Sequence, residues 1–249
     1  MQLSVTEIAE AVSARIVAAP NPDAQIASVT WDSRTAGEGS LYVALAGERV
    51  DGHDFVLAAV SAGAHCVLVT RALPDEMVAR VQELGAAILL VNDAQKAITD
   101  LACAWRGRLR GRVVGLTGSN GKTTTKNLVR DVLSCAGSVT ATRGNQNNEL
   151  GVPNTLLAAD ADTRNVVVEM GMRGLGQIES LCSFVRPEWG IVTQVGESHI
   201  ELLGSRENIA RAKSELIAAL PEGGIAFLNG ADDMSDFVWD NARGAERGV

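Results

Sequence analysis

The feature that most constrains this chain is the stretch VVGLTGSNGKTTTK at residues 113–126, where an apolar run breaks into a glycine-rich turn and a polar helix start. This order predicts a strand, a phosphate-binding loop and a helix. Gly118 and Gly121 allow backbone N–H groups to turn towards a polyphosphate, while Lys122 adds a positive charge. The Thr123 hydroxyl can bind Mg²⁺, so the stretch predicts a site for ATP or GTP with a magnesium ion.

The loop is a variant of the usual phosphate-binding pattern. Leu116 stands where that pattern has its first glycine, which leaves the form T-G-S-N-G-K-T. A glycine turn without a ligand is the alternative, and we disfavour it because strand, loop, lysine and threonine follow in the expected order. The predicted nucleotide contacts in this stretch are Gly118, Ser119, Asn120, Gly121, Lys122, Thr123 and Thr124.

The composition bounds the size of the core and the class of partner. A chain of 249 residues with 46% hydrophobic residues can form one large or two modest domains, and we expect two. A formal net charge of -8 argues against a nucleic-acid partner. Four arginines precede the loop, and we interpret them as a solvated helix end or linker: Arg106, Arg108, Arg110 and Arg112.

The cysteines and the N-terminus carry no signal for metal binding, secretion or membrane insertion. The four cysteines are widely spaced without a C-x-x-C pair, which predicts buried thiols rather than a zinc site or disulfides: Cys66, Cys103, Cys135 and Cys182. The chain starts without a basic and then apolar leader, and it has no run near the ~18 apolar residues that a membrane span needs. A cytoplasmic protein without a membrane span is therefore expected.

Hydrophobic periodicity predicts a small α/β module before the loop, with a boundary near Asn92, so that the two domains cover residues 1–91 and 92–249. A short helix is predicted to open at Thr6. The other predicted helices of this module cover residues 54–62 and 76–84. The predicted strands cover residues 29–32, 41–45, 66–70 and 88–91.

After the boundary, helical and strand patterns alternate, which predicts a mostly parallel sheet covered on both faces. The predicted helices cover residues 94–106, 124–135, 150–158, 178–184 and 205–220. The predicted strands cover residues 113–117, 139–141, 166–170, 190–194 and 225–229. Ligands of such sheets collect at the carboxyl ends of the strands.

Two candidate metal ligands lie at those carboxyl ends. The buried run at residues 166–168 leads directly into Glu169, whose charge would be costly without a cation nearby. The strand near residues 191–193 brings His199 to the same edge. A lone histidine is more often a structural hydrogen-bonding residue, but its position beside a phosphate loop favours the metal or catalytic role.

Lys213 is the third unusual group, because it projects from an apolar helix face. Its neighbours at helical spacing are Ile209, Ala210, Leu216 and Ile217. Poor solvation there lowers the pKa of the ammonium and makes the neutral amine more available. The alternative is a lysine whose stem packs while its head reaches water.

Several motifs together resemble the Mur ligases of peptidoglycan synthesis. They are DSR at residues 32–34, LYVALxGERxDGHDF at 41–55, TGSNGKT at 117–123 and SHxExxGS at 198–205. Alone, Asp32 could be a turn cap, and His53 part of a helix start. A further stretch, GNQNNELGVPxTL at 144–156, resembles the family members that add D-alanyl-D-alanine.

The resemblance implies an ATP-dependent, ADP-forming amide ligation. The γ-phosphate would pass to the terminal carboxylate of UDP-N-acetylmuramoyl-tripeptide, and the amine of D-alanyl-D-alanine would attack the acyl phosphate. Such phosphoryl transfer needs positioning and charge neutralisation, which Lys122, Glu169 and His199 could supply with Mg²⁺. The implied fold is a small N-terminal α/β UDP-binding module followed by a P-loop ATPase-like domain with a mostly parallel sheet.

The resemblance also implies residue roles. Ser33, Arg34, Asp51 and His53 would belong to the UDP-binding module, and Asn229 would contact adenine. The muramoyl substrate would meet Asn145, Asn147 and Asn148. Lys213, in the Ala-Lys-x-Glu stretch at residues 212–215, is similar in place to a lysine that carries a CO₂-derived carbamate and helps to place Mg²⁺ beside Thr123, Glu169 and His199.

The chain departs from the family in two respects. Gln194 stands where an asparagine is usual, a change that could shift a polar contact. Family members also continue well past this point, so that the central sheet is expected to be incomplete at its C-terminal end and the C-terminal domain to be absent. A monomer is expected.

Three other functions remain open from the sequence. A sister Mur ligase that adds the third, diamino residue would share the phosphate loop but not the stretch at residues 145–149. A non-catalytic nucleotide-sugar binder would keep the UDP module without turnover. An ordinary P-loop kinase or GTPase is disfavoured, because the loop is a variant and no guanine-reading N-K-x-D segment occurs.

Overall fold

The computed structural model describes residues 1–47, 50–198 and 200–245. Within the chain, two compact units divide between Trp105 and Arg106. The predicted boundary near Asn92 precedes the helix Ala94–Arg106, whereas the units divide at the end of that helix. The helix buries Ile98, Leu101 and Trp105, so it is part of a packed unit and not a linker.

The first unit is built on a five-stranded sheet. The strands of the whole unit, in chain order, are β1 (Leu3–Ser4), β2 (Arg15–Ala18), β3 (Gln25–Ile26), β4 (Ser28–Thr30), β5 (Ser40–Val43), β6 (Ala64–Val69) and β7 (Ala87–Leu90). The sheet order is β2-β7-β6-β5-β4, in which β4 to β7 are parallel and β2 is antiparallel, while β1 and β3 form a separate pair. Its helices are α1 (Val5–Ala11), α2 (Val56–Ser61), α3 (Asp75–Glu83) and α4 (Ala94–Arg106).

Local sequence explains where these elements begin. Helix α1 starts one residue before the predicted Thr6, because Ser4 and Glu7 form a reciprocal capping box. Part of the helix predicted at residues 54–62 is instead a 3₁₀ turn, Gly52–Phe55, that Asp51 caps. The short strands β1 to β3 were not predicted, since two-residue strands show no periodicity and β2 exposes three of its four residues.

The second unit is a five-stranded parallel sheet with helices between the strands, as the alternating pattern predicted. Its strands are β8 (Arg112–Thr117), β9 (Val139–Ala141), β10 (Asn165–Glu169), β11 (Trp189–Val192) and β12 (Ile225–Leu228), in the order β12-β11-β8-β10-β9. Its helices are α5 (Lys122–Ser134), α6 (Gly151–Leu157), α7 (Gln177–Val185), α8 (Ile200–Leu203), α9 (Arg206–Ala218) and α10 (Ser235–Ala245). The α/β class is confirmed; α8 and α10 were not predicted.

Burial differs sharply between the centre and one edge of this sheet. All five residues of β10 are buried, which is typical of a strand covered on both faces. Cover ends at β12, where Ile225 and Phe227 are 44% and 45% exposed, which agrees with the expectation that the sheet is incomplete at its C-terminal end. Phe227 meets the Trp189 ring edge-on, with 5.8 Å between ring centroids.

The cysteines are not all buried, so that prediction is wrong for two of them. Cys103 and Cys135 are exposed, because each lies on the outward side of a helix or its end. Cys66 and Cys182 are buried, and loss of hydration raises the pKa of both thiols, that of Cys182 to about 12. In the described part of the chain, no helix combines the length and apolarity that a bilayer crossing requires.

Arg106 is buried and does not form the solvated helix end that we predicted. Its Nε donates to the Val185 carbonyl at 2.8 Å, and one Nη donates to the Arg186 carbonyl at 2.9 Å and to Glu188 at 2.6 Å. A cation at the C-terminal end of α7 satisfies carbonyls that the helix leaves without partners. The sequence could not show this, because the partners lie about eighty residues away.

We expect Arg106→Met to lower the free energy of unfolding by about 2–3 kcal/mol, because two carbonyls and a carboxylate lose their donor. Arg130→Met is the matched control, since the Arg130–Asp131 pair is exposed and should contribute less than about 0.5 kcal/mol. Urea unfolding measures both. Equal effects of the two substitutions would contradict the structural role of Arg106.

Candidate functional site

The phosphate-loop stretch lies between the central strand β8 and helix α5, as predicted. Gly121 has φ of 77°, a left-handed conformation that glycine adopts without strain, and it precedes the first helical residue, Lys122. A Cβ atom on Gly118 would collide with the Thr193 side chain. Both glycines are therefore needed for the turn that aims the first amides of α5 at the loop.

Two neighbouring segments brace the loop. The Ser119 amide donates to the Gln194 carbonyl at 2.7 Å, and the Thr193 hydroxyl donates to the Asn120 carbonyl at 2.6 Å. Because Gln194 makes this contact through its main chain, its longer side chain does not alter it. Thr193 had no signal in the sequence beyond its place at the end of β11.

Lys122 folds over the loop that it follows. Its Nζ donates to the Gly118 carbonyl at 2.7 Å and to the Ser119 carbonyl at 3.3 Å. Burial lowers the pKa of Lys122, and the negative charge of Glu169 partly opposes that shift. The ammonium thus lies where a phosphate group bound by the loop would meet it.

Glu169 ends strand β10 and is only 1% exposed. Its carboxylate accepts from the Thr123 hydroxyl at 3.1 Å and from the Asn147 amide at 2.9 Å. The Lys126 ammonium lies 3.6 Å from the same carboxylate. The cost of burying this charge is therefore offset by one cation and two hydrogen-bond donors.

The oxygens of Thr123 and Glu169 fit a magnesium ion. Adjacent ligands of octahedral Mg²⁺ stand about 3 Å apart, and these oxygens are separated by 3.1 and 3.3 Å. No group of three His, Cys, Asp or Glu side chains suited to a metal occurs in residues 1–47, 50–198 and 200–245. A site with one carboxylate is what Mg²⁺ uses when phosphates and water complete its shell.

Two residues that contact Glu169 were missed in the sequence, one at its carboxylate and one at its main-chain amide. Lys126 follows Lys122 at helical spacing and is 1% exposed, and its Nζ donates to the Gly144 carbonyl at 2.7 Å. Thr142 follows β9, and its hydroxyl accepts from the Glu169 amide at 2.9 Å. The i,i+4 spacing from Lys122 was the available signal for Lys126.

A cavity of about 330 Å³ opens beside the loop and brings several predicted residues together. Among its lining residues, Gly118, Lys122, Asn147, Asn148 and Lys213 were predicted site residues, whereas Met172, Arg173 and Gln177 were not. The last three follow β10, so the rule that ligands collect at strand ends was the signal that could have found them. The lining carries three basic side chains and one acidic side chain, Glu149, which suits an anionic ligand.

Lys213 lies on α9, is 2% exposed and lines the cavity beside the loop. Loss of hydration, together with the positive charge of Lys122, lowers the pKa of Lys213 to about 7. No hydrogen-bond or ion-pair partner of its Nζ is found in the described part of the chain. A large share of this amine is therefore neutral near neutral pH.

The remaining predicted residues of the second unit differ in their exposure and in their hydrogen-bond partners. Asn145 is exposed and does not line it, while Asn148 accepts from the Gly151 amide at 3.0 Å. Asn229 follows β12 and donates to the Thr193 carbonyl at 3.2 Å, which links it to the braced loop. Thr124 is exposed on the first turn of α5. His199 lies outside the described residues.

The predicted residues of the first unit follow the carboxyl ends of its parallel strands. Asp32 forms a forked pair with Arg34, with distances of 2.8 and 2.6 Å, and this pair lowers the pKa of Asp32 to about 2. The Arg34 side chain is 86% exposed, so it remains available to a ligand. Ser33 begins the 3₁₀ turn that Asp32 caps.

His53 is held on both sides of its ring and is 3% exposed. Its Nδ1 bonds Asp51 at 2.6 Å, and its Nε2 accepts from the Thr70 amide at 3.1 Å. Hydrogen bonds from the His53 amide and ring lower the pKa of Asp51 to about 2, and Arg71 pairs with the second oxygen of Asp51 at 2.7 Å. These contacts favour a structural role for His53, and its substrate contact stays a prediction.

Comparison with known proteins identifies matching families and relatives. A family model described as the Mur ligase middle domain matches residues 116–248, and one described as the Mur ligase family, catalytic domain, matches residues 25–106. The chain is 42% identical, over 91% of its length, to UDP-N-acetylmuramoyl-tripeptide–D-alanyl-D-alanine ligase of Synechocystis sp., of which it covers 46%.

Two solved structures are similar in fold. The crystal structure of MurF from Acinetobacter baumannii superposes with a TM-score of 0.85 at 31% identity, over 98% of this chain and 52% of that one. MurF ligase from Thermotoga maritima, in complex with ADP, gives 0.73 at 33% identity, over 86% of this chain and 48% of that one. The chain thus spans about half the length of the relatives that it matches.

The lowered pKa of Lys213 predicts a pH dependence of stability. The usual value is 10.5 and the folded value about 7, so the unfolded chain binds more protons between them and the free energy of unfolding rises with pH. From about pH 7 to about pH 8.5, Lys213 should add about 1–2 kcal/mol, and Lys213→Met should remove that rise. Urea unfolding at both pH values measures it; parallel profiles of the two proteins would contradict it.

Proposed function

This chain belongs to the Mur ligase family, and on that premise we propose that it forms the UDP-muramoyl-peptide-binding and ATP-binding parts of a ligase that joins D-alanyl-D-alanine to UDP-N-acetylmuramoyl-tripeptide. The observation that carries the proposal is Glu169, which is bonded both to Thr123 of the phosphate loop and to Asn147 of the stretch assigned to the muramoyl substrate. The names of the D-alanyl-D-alanine ligases among the relatives support the choice of dipeptide.

In the proposed reaction, the terminal carboxylate of the tripeptide attacks the γ-phosphorus of ATP, which releases ADP and forms an acyl phosphate. The amine of D-alanyl-D-alanine then attacks the acyl carbon, loses a proton and expels phosphate. Lys122 neutralises phosphate charge at the loop, and α5 directs its free amides at the same group. Thr123 and Glu169 would hold Mg²⁺, which supplies charge neutralisation between the phosphates.

Lys213 is assigned a carbamate in this proposal. Its neutral amine adds to CO₂ and loses a proton, which converts a buried cation into an anion. The anion would lie in the cavity that Lys122 also lines, where a negative charge is favoured by the ammonium and can help to place Mg²⁺. His199 is assigned to the same cluster as a metal or catalytic residue.

The proposed substrate contacts lie in two places, at the cavity and in the first unit. Asn147 and Asn148 line the cavity and are assigned to the muramoyl peptide, with Asn145 beside them. Arg34 is the exposed cation assigned to UDP, together with Ser33, Asp51 and His53. Asn229, with Ser119, Asn120 and Thr124, is assigned to the nucleotide.

The proposal also covers the cellular setting. The reaction would take place in the cytoplasm as a late step of peptidoglycan precursor synthesis, on which cell-wall growth, cell shape and division depend. The enzyme would act as a monomer. A sister ligase that adds the diamino residue is the second enzyme candidate, and the stretch at residues 145–149, which bonds Glu169 through Asn147, is the feature by which we distinguish the two.

The function is tested by ADP release from ATP and UDP-N-acetylmuramoyl-tripeptide, with and without D-alanyl-D-alanine, in the full-length ligase. Repeated turnover should require the dipeptide, because its amine consumes the acyl phosphate, and Lys122→Met should lower kcat by at least about 10²-fold, because the phosphate charge loses its neutralising group. Lys96→Met is the control, since Lys96 is an exposed lysine of α4 that pairs with Asp100. Dipeptide-independent turnover, or addition of a diamino acid in its place, would overturn the proposal.

The isolated 249-residue chain provides a second arm of this test. It should bind UDP-N-acetylmuramoyl-tripeptide measurably by calorimetry without forming the pentapeptide, since it spans about half of its relatives. Arg34→Met should weaken this binding. Undetectable binding by the folded wild-type chain would contradict the assignment of the first unit.

The carbamate is tested by chemical rescue. Lys213→Ala should lower kcat of the full-length ligase by at least about 10²-fold, and added short-chain carboxylic acids should restore part of it by supplying the missing anion. An intact-mass gain of CO₂ under non-acidic conditions, absent from the variant, gives a readout independent of turnover. Wild-type activity of Lys213→Ala would rule out this role.

A further inference from the structure

Lys126 is a buried charge that the proposed reaction does not use. It lies one helical turn after Lys122 on α5 and is 1% exposed. Its Nζ donates to the Gly144 carbonyl at 2.7 Å and lies 3.6 Å from Glu169 Oε2. Lys122, by contrast, bonds the loop carbonyls of Gly118 and Ser119.

Three separate segments meet at this ammonium. Helix α5 continues the phosphate loop, Glu169 ends β10, and Gly144 lies in the loop that follows β9. Asn147 also joins the loop after β9 to the end of β10: its side chain donates to Glu169 at 2.9 Å, and its carbonyl accepts from the Gly171 amide at 2.8 Å. Hydrogen bonds of Thr142 and Asn147 therefore join the loop after β9 to the end of β10, and among the described residues the contact through Lys126 adds an ionic connection.

The burial of Lys126 and Glu169 determines how strongly their opposite charges interact. The Lys126 and Glu169 side chains are 2% and 1% exposed, so water screens neither charge. A buried charge that loses its partner is strongly unfavourable, whereas a neutral pair of similar shape is not. At 3.6 Å the ammonium acts on the carboxylate as a counter-charge, while Thr123 and Asn147 supply the hydrogen bonds.

We propose that Lys126 is a positioning residue: its ammonium fixes the Glu169 carboxylate and the Gly144 carbonyl in one arrangement, which sets the metal-binding carboxylate and the substrate loop against the phosphate loop. Its consequence for turnover rests on the proposed function, but the pairing itself does not. The competing explanation is that Lys126 only fills space and bonds Gly144, with no dependence on the charge of Glu169.

A double-mutant cycle on the 249-residue chain separates these explanations. Lys126→Met keeps the length of the side chain and removes the charge, and Glu169→Gln keeps the shape of its partner. Each single substitution should lower the thermal midpoint by roughly 10 °C, because each leaves one buried charge without its counter-charge. The double variant should lose no more than the worse single variant, because no unpaired charge remains. Lys96→Met is the control and should change the midpoint little.

Additive losses in the double variant would overturn the proposal, because they would show that Lys126 acts independently of the carboxylate. If Lys126→Met fails to fold, the double variant decides: its recovery of a cooperative transition supports the pairing, and its failure to fold overturns it. All measurements are made in EDTA without nucleotide, so they do not depend on a loaded site.

Kinetic constants of the full-length ligase provide a second measurement. A simple loss of packing would not change some of these constants and leave another unchanged. Lys126→Met should raise KM for UDP-N-acetylmuramoyl-tripeptide and the Mg²⁺ concentration for half-maximal rate by about 10-fold each, while KM for D-alanyl-D-alanine stays unchanged. Equal changes in all three constants would overturn the positioning role. Failure of the wild-type enzyme to ligate would defeat the proposed function and leave the cycle on Lys126 and Glu169 intact.

Discussion

The arrangement of the second unit depends on one constraint, the burial of a carboxylate at the end of a central strand. Glu169 is 1% exposed, so each of its oxygens needs a partner from the protein or from a ligand. Thr123 and Lys126 supply those partners from helix α5, and Asn147 supplies one from the loop after β9. A single buried charge therefore gathers the phosphate loop, the helix after it and the loop after β9 into one site.

The parallel sheet makes this gathering possible. Strands β8, β10 and β11 end at the same edge, so the residues that follow them are neighbours despite large separations in the sequence. Main-chain hydrogen bonds then fix the loop, as between Ser119 and Gln194. Backbone contacts thus set the geometry of this frame, and because Gln194 accepts through its carbonyl, its side chain does not take part in the brace.

Sequence reasoning found the features that depend on local pattern. The phosphate loop, Glu169 at the end of an apolar run, and Lys213 on an apolar helix face were all predictable, because residue type and spacing carry that information. Lys126 and Arg106 were not, since their roles come from partners 18 to 82 residues away. The contacts of His53 show the same limit, because its motif gave no sign that Asp51 and Thr70 would bond its two ring nitrogens.

The exposed side of strand β12 has a consequence for how the chain behaves in solution. This strand lies at the end of the sheet order and presents Ile225 and Phe227 to water. An edge strand with apolar side chains and no charged residue along its four positions is a template for strand pairing between molecules. Self-association of the 249-residue chain is therefore expected at this edge, and Phe227→Lys is the substitution expected to oppose it.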